Sequence, residues 1–246
     1  MSSCGVHLAA LLLTAASGSA TPDAAALLRA ADAPRRALDE GVLFVRARVE
    51  RPGKPATVQD LEVYVRGDDR ALCVFREGAQ RGRKVLTVGD RVWLIVPGTK
   101  NAVPISASQR LLGGASVADL ARLTLAEEFD GMLRAAEETV DQHPCLVLDL
   151  RARSAQAQYA TGTLWMGRED RLPRRLRLAL PSGKEAKEVR FLEYGREGGR
   201  SVLARMEIVH LLRGERGART VLEFLRREPR PVADALFDPS GARELP

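Results

Sequence analysis

The sequence predicts a mainly β fold of the α+β class, in which about a dozen antiparallel strands form one sheet. Short stretches in which apolar and polar residues alternate recur along most of the 246 residues, and tight turns such as Gly67-Asp68-Asp69 separate them. Two longer stretches, 22–40 and 108–123, carry apolar residues at helical spacing. Because the open edges of a large sheet promote aggregation, we expect the sheet to curl and the helices to fill or cap its concave side.

The first helix is predicted within residues 22–40, with Thr21 or Asp23 as its N-cap and Pro34 as the residue that limits or kinks it. From Gly41 onward the period of the apolar residues changes to two, which indicates strands with one buried face. The apolar residues that share a face in the first two strands are Leu43, Val45, Ala47, Val49, Leu61, Val63 and Val65.

The stretch from Asp90 to Pro97 differs from the neighbouring strands because it is apolar on both faces. A strand of this kind must be covered on both sides or face an apolar ligand. The alternation leaves two choices open for the residues that face the concave side, either Val92, Leu94 and Val96 or Trp93 and Ile95.

The pattern of strands breaks between Ser106 and Gly131, where we expect a helix-containing insertion. Strands resume afterwards, and a short helical turn at 232–239 leads to the end of the sequence. No linker separates these elements, so we expect a single domain over residues 21–246. The strands of the middle and later parts are predicted at about 71–77, 83–89, 91–97, 132–140, 144–153, 159–168, 174–180, 186–195, 201–213 and 218–227.

The first twenty residues contain no Lys, Arg, Asp or Glu, and their apolar core from Val6 to Ala16 is too short to span a bilayer. Small residues follow at Gly18-Ser19-Ala20, where a signal peptidase would read them. The sequence therefore predicts a signal peptide at 1–20 that is cleaved after Ala20, and an exported protein of the periplasm.

The 38 basic residues outnumber the 32 acidic ones, but they do not form one block. They alternate with apolar residues, as Arg46 and Arg48 or Arg175 and Arg177 do, which is typical of exposed strand faces. Aromatic residues make up only 4% of the chain, whereas single-stranded nucleic acids are bound by aromatic and basic residues together. We therefore predict no nucleic-acid partner.

The sequence carries no pattern that indicates catalysis or a metal site. The histidines are His7 in the predicted signal peptide, His143 in a turn and His210 near a strand end, and there is no Gly-x-Ser-x-Gly elbow. The paired carboxylates at 127–128 and 137–138 would point to opposite faces of a strand. We predict a protein that is not an enzyme and that holds no cofactor or metal.

Removal of the signal peptide leaves two cysteines, Cys73 and Cys145, and both lie inside predicted strands. An oxidising compartment permits a disulfide between them. Two buried free thiols are the equal alternative, because nothing in the sequence fixes the distance between the two residues.

A series of motifs supplies a further observation. The stretch from Asp90 to Pro97 is followed by Ile105-x-x-Ser108-Gln109-Arg110 and by Asp119-Leu120. Further motifs continue in order, and they are His143-Pro144-Cys145-Leu146-Val147-Leu148-Asp149-Leu150, Leu164-Trp165-Met166, Leu172-Pro173-Arg174-Arg175, Arg205-Met206-Glu207 and Leu236-Phe237-Asp238-Pro239. In this order and spacing they resemble the outer-membrane lipoprotein-sorting protein family of LolA/LolB-like periplasmic proteins, over residues 25–246.

The resemblance implies an open half-barrel, a strongly curved antiparallel sheet whose concave face is plugged by helices. Family members similar to this chain bind lipid acyl chains, or lipoproteins by their acyl chains, and carry them across an aqueous space. The Gly113-Gly114 pair is the candidate hinge of the insertion. The candidate residues of an apolar lipid-binding wall are Val45, Val63, Val65, Val74, Trp93, Leu94, Val96, Leu111, Leu112, Leu148, Leu164, Met166, Leu178, Phe191, Met206 and Phe224.

The resulting hypothesis is a periplasmic carrier or chaperone that binds lipid acyl chains or acylated lipoproteins during outer-membrane lipoprotein or lipid sorting. An inner-membrane transporter and an outer-membrane acceptor would be its further partners. Two alternatives stay open. The apolar residues could form a solid core that the helices close, and the protein could be a non-catalytic accessory or scaffold subunit of an envelope transport complex that carries no lipid.

Overall fold

A computed structural model describes residues 23–36, 38–99, 101–106, 110–112, 115–116, 124–155, 157–212 and 217–244. The predicted signal peptide at 1–20 and the candidate hinge Gly113-Gly114 lie outside the described residues. The described helices are α1 (Ala24–Asp32), α2 (Leu125–Glu128) and α3 (Gly241–Glu244), with 3-10 turns at Gly78–Gln80 and Asp234–Phe237. The strands are β1 (Glu40–Arg51), β2 (Lys54–Arg66), β3 (Arg70–Phe75), β4 (Lys84–Val88), β5 (Arg91–Ile95), β6 (Val103–Ile105), β7 (Arg110–Leu112), β8 (Ala115–Ser116), β9 (Phe129–Leu133), β10 (Glu138–Val140), β11 (His143–Ala152), β12 (Thr161–Gly167), β13 (Pro173–Ala179), β14 (Glu185–Glu197), β15 (Arg200–His210) and β16 (Arg219–Pro229).

Within the described residues, fourteen strands form one antiparallel sheet in the order β10-β11-β12-β13-β14-β15-β16-β1-β2-β3-β4-β5-β6, and β9 also pairs with β11. Along this order, neighbours in the sheet are neighbours in the chain except in the middle, where β16 pairs with β1 from Gly41 opposite Pro229 to Glu50 opposite Arg219. The two ends of the sheet do not pair with each other, so the sheet is open. This architecture confirms the predicted mainly β fold with one open antiparallel sheet.

The segment around α1 shows how strongly the sheet curves. Leu28 of α1 lies against β9 at Gly131, and Arg36 forms an ion pair with Asp68 in the turn between β2 and β3. Eight strand spacings separate these two places in the sheet, which would be about 38 Å if the sheet were flat. The backbone from Leu28 to Arg36 spans far less than this, because it is helical as far as Asp32, rising about 1.5 Å per residue, and the N–H groups of Arg35 and Arg36 bond back to the carbonyl oxygen of Asp32. The sheet therefore curls around α1.

Helix α1 is shorter than the predicted 22–40. Asp23 is its N-cap, and its carboxylate accepts hydrogen bonds from the backbone N–H groups of Ala25 and Ala26 at 3.2 Å each. The helix ends before Pro34, whose carbonyl oxygen accepts a hydrogen bond of 2.9 Å from the N–H of Leu203 on β15. The predicted N-cap and the limiting role of Pro34 are thus confirmed, and the residues after Pro34 lead into β1.

Two predicted elements are wrong in the described part. The stretch 109–112 was expected to be helical, but residues 110–112 form β7, which pairs with β8. Only two residues, both glycine in the sequence, separate these strands, and Gly-Gly favours a two-residue hairpin over a helix. The single strand expected at 132–140 is instead β9 and β10, which pair with different parts of β11.

Each face of the sheet carries an apolar cluster. The inner face is the one that carries α1 and α2, and its buried residues (the inner cluster) include Leu43, Val45, Ala47 and Val49 as predicted. On the opposite, outer face, the C-terminal segment 230–244 (the strap) packs over β1–β5. The buried residues under the strap, together with the strap residues themselves, form the outer cluster of Val42, Tyr64, Leu72, Val74, Leu86, Ile95, Val232, Phe237 and Ala242.

The two cysteines lie on opposite faces. Cys73 is part of the inner cluster, and Cys145 lies in a small group on the outer face with Val140, Val147 and Trp165. Both are free and buried. Of the two alternatives that the sequence left open, the structure therefore has the two buried thiols.

Candidate functional site

The inner face is a continuous apolar wall. In the sheet order from β11 to β5, every strand contributes at least one buried apolar side chain to the inner cluster, because alternate residues of a strand point to the same face. The cluster also includes Phe129 of the edge strand β9, and Leu27, Leu28 and Ala31 of α1, which lies on this face. A wall of this kind can hold an aliphatic chain, or it can be filled by the side chains of the protein.

Most of the predicted wall residues lie on this face. Three of them are partly buried and pack against the inner cluster, namely Val65, Leu94 and Phe224. Eight are members of the cluster with 6% or less of their surface exposed, namely Val45, Val63, Leu148, Leu164, Met166, Leu178, Phe191 and Met206.

Two predicted wall residues are on the wrong face. Val74 belongs to the outer cluster, and Trp93 packs against it, under Arg91 at 5.3 Å from the ring. Both come from strands that are apolar on both faces, so the sequence offers no alternation that would identify the inner side. Val96 follows the end of β5 and is half-buried, and the side chains of Leu111 and Leu112 lie outside the described residues.

The face of β5 that the sequence left open is now assigned. Val92 is in the inner cluster with Leu94 packed against it, whereas Ile95 is in the outer cluster with Trp93 beside it. The strand is covered on both sides, as its two apolar faces require. Its outer cover is the strap, of which the sequence predicts only a short helical turn at 232–239.

Sequence reasoning missed two large residues of the wall, Phe75 and Phe129, which are 0% and 1% exposed. Phe75 lies two residues after Cys73 and shares its face, so a correct choice of face for β3 would have found it. Phe129 begins β9, in a stretch where the sequence predicts an insertion without a strand.

The cover of the wall is held together by Asp32, which is not among the residues predicted from the sequence. Its carboxylate is 3% exposed and accepts hydrogen bonds of 2.9 Å from the N–H groups of Leu125 and Ala126, the first two residues of α2. Burial raises the pKa of Asp32, and these two N–H groups, with Arg35 and Arg36, offset only part of that rise. Asp32 thus joins the two helices that lie on the inner face.

The outer face of β13–β16 carries the basic residues in ion pairs. Glu188 accepts hydrogen bonds from Arg177 at 2.6 Å and from Arg190 at 2.7 Å, and Arg190 also bonds to Glu207 at 3.2 Å. Burial alone would raise the pKa of Glu188, but the two guanidinium groups outweigh it and lower the pKa. Arg177 and Arg190 are therefore paired with acidic side chains on this face.

A groove of about 550 Å³ runs across the outer face of β9, β11, β12 and β13. The backbone from Gly131 through Leu150 and Gly162 to Leu178 forms its floor, and these residues are direct cross-strand partners. Its two rims carry charged and hydroxyl side chains, such as Arg151 and Thr163. This groove is polar at its rims and lies on the opposite side of the sheet from the apolar wall.

The two described cysteine thiols, Cys73 and Cys145, are not activated as nucleophiles. Burial raises the pKa of the Cys73 thiol to about 12. Burial also raises the pKa of Cys145, whose thiol donates a hydrogen bond of 3.3 Å to the carbonyl oxygen of His143. Because the thiolate is the reactive form, neither thiol is a nucleophile at neutral pH. In the described part of the chain, no group of three or more His, Cys, Asp or Glu side chains could hold a metal ion.

The comparisons with known proteins agree with this fold. A family described as "Uncharacterized protein" matches residues 67–241. A LolA superfamily protein from Nitrosomonas europaea is 23% identical, covers 89% of this chain and 98% of its own, and superposes with a TM-score of 0.78. A DUF1329 family protein from Desulfovibrio piger is 20% identical, covers 88% and 96%, and gives a TM-score of 0.76.

A third similar structure is a domain described as an outer membrane lipoprotein-sorting protein, from Vibrio parahaemolyticus. It is 14% identical, covers 90% of this chain and 98% of its own, and gives a TM-score of 0.73. No curated protein matches the sequence. No helix in the described residues has the length and hydropathy to cross a membrane. At these identities the structures establish the fold, which is the one that the sequence motifs predicted.

Proposed function

Because this chain belongs to a family of uncharacterised proteins and has the fold of the LolA superfamily, we propose that it carries lipid acyl chains or acylated lipoproteins. The carrier works in the periplasm after export, and it forms no covalent bond with its cargo and catalyses no reaction. It receives the cargo from an inner-membrane transporter and delivers it to an outer-membrane acceptor, in the sorting of lipoproteins or lipids.

The observation that carries this proposal is the apolar wall under a small cover. Strands from one end of the sheet to the other contribute to the wall, whereas α1 and α2, the helices described on that face, comprise nine and four residues. Burial of an acyl chain is worth about 0.8 kcal/mol per methylene, so a chain of about fourteen carbons gains roughly 10 kcal/mol before the costs of binding. This gain is enough to bind a lipid without any polar contact.

The wall residues are buried against protein atoms, so an acyl chain must displace part of the cover. The contacts of α1 with β9 at Gly131 and with α2 through Asp32 are the ones to be broken. These contacts of α1 are few and local, whereas the strands of the sheet are joined by continuous ladders of backbone hydrogen bonds. A carrier needs such a balance, because cargo that binds too tightly is not released to the acceptor.

The test compares two neighbouring residues of β5 that point to opposite faces. Leu94→Gln places a polar amide on the inner wall, and Trp93→Gln places the same amide on the outer face. We expect wild-type protein and Trp93→Gln to take up a fluorescent acyl probe, and Leu94→Gln to lose at least about tenfold in affinity, since a buried amide without a partner is costly.

Native mass spectrometry of protein from its own host, followed by lipid extraction, complements this experiment. Co-purifying lipid in the wild type and its loss in Leu94→Gln would support the carrier. Repeated absence of lipid, together with no uptake of the probe by the wild type, would contradict it and leave the accessory or scaffold subunit as the better reading.

A further inference from the structure

The groove on the outer face of β9, β11, β12 and β13 lies between two rows of side chains. Each row consists of direct cross-strand partners, which share a face of the sheet. The first row is Met132, Asp149, Thr163 and Arg177, and the second is Asp130, Arg151, Thr161 and Ala179. Three strand spacings make the groove about 14 Å long, and two residues along a strand make it about 7 Å wide. These are the dimensions of a short linear ligand.

The charges that line the groove leave one cation without a partner. Each carboxylate of the lining is in an ion pair with an arginine. The pairs are Asp149 with Arg134 at 2.6 Å, Asp130 with Arg153 at 3.0 Å and Glu185 with Arg177 at 3.7 Å. Arg151 is exposed in the second row, and its guanidinium group forms no ion pair or hydrogen bond within the part of the chain that the structure describes. The groove therefore carries one positive charge that the protein does not balance.

Two hydroxyl groups adjoin Arg151. Thr161 is directly opposite Arg151 on β12, and Thr163 lies two residues further on the same face. Among the described residues, neither hydroxyl group has a hydrogen-bond partner, so both are available to donate and to accept. Met132, with 68% of its surface exposed, adds an apolar contact at the β9 end. The groove thus offers a cation, hydrogen-bonding groups of both kinds and a small apolar surface.

We propose that this groove binds a short extended peptide segment by a carboxylate, which accepts hydrogen bonds from the guanidinium group of Arg151 and the hydroxyl group of Thr161. Four extended residues span about 14 Å, which is the length of the groove. The carboxylate belongs either to an acidic side chain or to a C-terminus, since both present the same two oxygens to a guanidinium group. The groove and the apolar wall are on opposite sides of the sheet, so this inference does not depend on the proposed carrier function.

The acidic residues around Arg151 favour a peptide over a phosphate. A phosphate group carries a charge of about −1.5 to −2 at neutral pH, and it would meet the carboxylates of Asp130, directly opposite Arg151, and of Asp149, two residues before it. A carboxylate carries a single charge, which the single free cation balances. A peptide also supplies backbone N–H groups, which the aspartate and threonine oxygens can accept. The charges of the groove are therefore complementary to an extended chain with one anionic group.

The test uses two pairs of alanine tetrapeptides. The first pair is blocked at both ends and has aspartate or asparagine as its third residue, and the second pair is tetra-alanine with a free or an amidated C-terminus. Binding to the purified protein is followed by the NMR shifts of the Gly131 and Gly162 amides, on the floor of the groove. We expect the acidic member of at least one pair to bind about fivefold more tightly than its neutral counterpart, the effect of one exposed charge pair. The pair that shows the difference identifies the carboxylate as a side chain or a C-terminus.

The variants assign the preference to Arg151. Arg151→Gln removes the charge from an exposed position and should bind the acidic and neutral peptides equally. Arg151→Lys keeps the charge and should retain a preference for the acid. Arg196→Gln is the matched control, because Arg196 on β14 is likewise exposed and, among the described residues, without an ion pair. It lies eleven residues beyond Glu185 along that strand, so this change should leave the preference intact.

Several results would overturn the inference. Equal affinities within both peptide pairs, or a preference that survives in Arg151→Gln, would show that Arg151 binds no carboxylate. Tighter binding of inorganic phosphate or of glucuronate at the same amides would assign the groove to another class of ligand. An absence of shifts with every peptide at millimolar concentration would show that the groove is ordinary surface. If Arg151→Gln does not fold, Thr161→Val takes its place, and it should weaken the binding of the acidic peptide more than that of the neutral one.

Discussion

Each face of the sheet carries an apolar cluster, but the two clusters are covered in different ways. On the outer face of β1–β5, the strap is fastened by side chains of the sheet: Arg66 and Arg70 bind Asp234 at 2.8 Å each, and Lys84 donates to the carbonyl oxygens of Ala242 and Arg243 at 3.0 Å each. On the inner face, α1 and α2 are joined to each other by Asp32 and packed against the wall by a few aliphatic side chains.

The difference shows which cover can be exchanged for a ligand. The strap satisfies buried polar groups of the sheet, so its removal would leave Lys84, which is 5% exposed, without its carbonyl partners in the strap. Removal of α1 from the wall leaves mainly apolar surface, and an acyl chain can cover apolar surface equally well. We therefore interpret the strap as a permanent part of the fold and α1 as the replaceable cover.

The largest expected effect concerns the core under each cover. Phe75 is fully buried on the inner wall, and Phe237 is the largest buried side chain of the strap, with 7% of its surface exposed. We expect Phe75→Ala to lower the free energy of unfolding by about 3–5 kcal/mol, measured by denaturant titration. Phe237→Ala should cost less, because the side chain of Phe237 is less completely buried than that of Phe75. An equal or larger loss in Phe237→Ala would show that the strap contributes as much to stability as the inner wall does.

The second effect concerns the fastening of the strap. Lys84 donates hydrogen bonds to two backbone carbonyl groups of α3. Burial, and to a smaller extent Arg76, lowers the pKa of Lys84. Lys84→Met keeps the apolar stem and removes the donors, so we expect a loss of about 1–3 kcal/mol. Hydrogen exchange of the Ala242 amide, which is bonded to the Asp238 carbonyl at 2.8 Å, should accelerate.

Lys54→Met, at the exposed first residue of β2, is the matched control and should leave that exchange unchanged. Unchanged exchange in Lys84→Met would mean that the apolar contacts of the strap hold it without the lysine. The two covers would then differ less than their hydrogen bonds indicate.

The same contrast explains what the sequence could predict. Where one face of a strand meets water, as in β1, the alternation of Val45 and Ala47 with Arg46 and Arg48 identifies the inner face correctly. Where both faces are covered, as in β3 and β5, the alternation vanishes, and the choices of Val74 and Trp93 were wrong. The covers themselves depend on contacts between residues far apart in the chain.

Asp32 and Lys187 illustrate that last difficulty. In the sequence, Asp32 is a polar residue at the end of a helix. Its hydrogen bond with Leu125, ninety-three residues later, depends on the fold. Lys187 reads as one more basic residue of an alternating strand, and a bulge between β13 and β14 places it and Ala186 on the inner side together. The periodicity of the sequence cannot predict where either residue lies in the fold, because their positions depend on strand register and long-range packing.

The smallest expected effect tests the hydrogen bonds by which Asp32 joins α1 to α2. Burial raises the pKa of Asp32, so the folded protein holds this proton more tightly than the unfolded chain does. The stability from this group is therefore fully present below the ordinary carboxyl pKa of about 4 and is lost as the pH rises through the folded pKa. Asp32→Asn removes this titration, so the difference in unfolding free energy, wild type minus variant, should fall from about pH 4 to pH 7.

Asp60 supplies a control of opposite sign. Its hydrogen bond from Arg46 lowers the pKa of its carboxyl, so its contribution is present above the ordinary pKa and is lost in acid. For Asp60→Asn the same difference should therefore rise with pH, by a small amount because the pair is exposed. Denaturant titrations at several pH values measure both slopes. Equal slopes for the two variants would show that Asp32 titrates as an ordinary surface carboxyl, and the buried joint between α1 and α2 would then be open in solution.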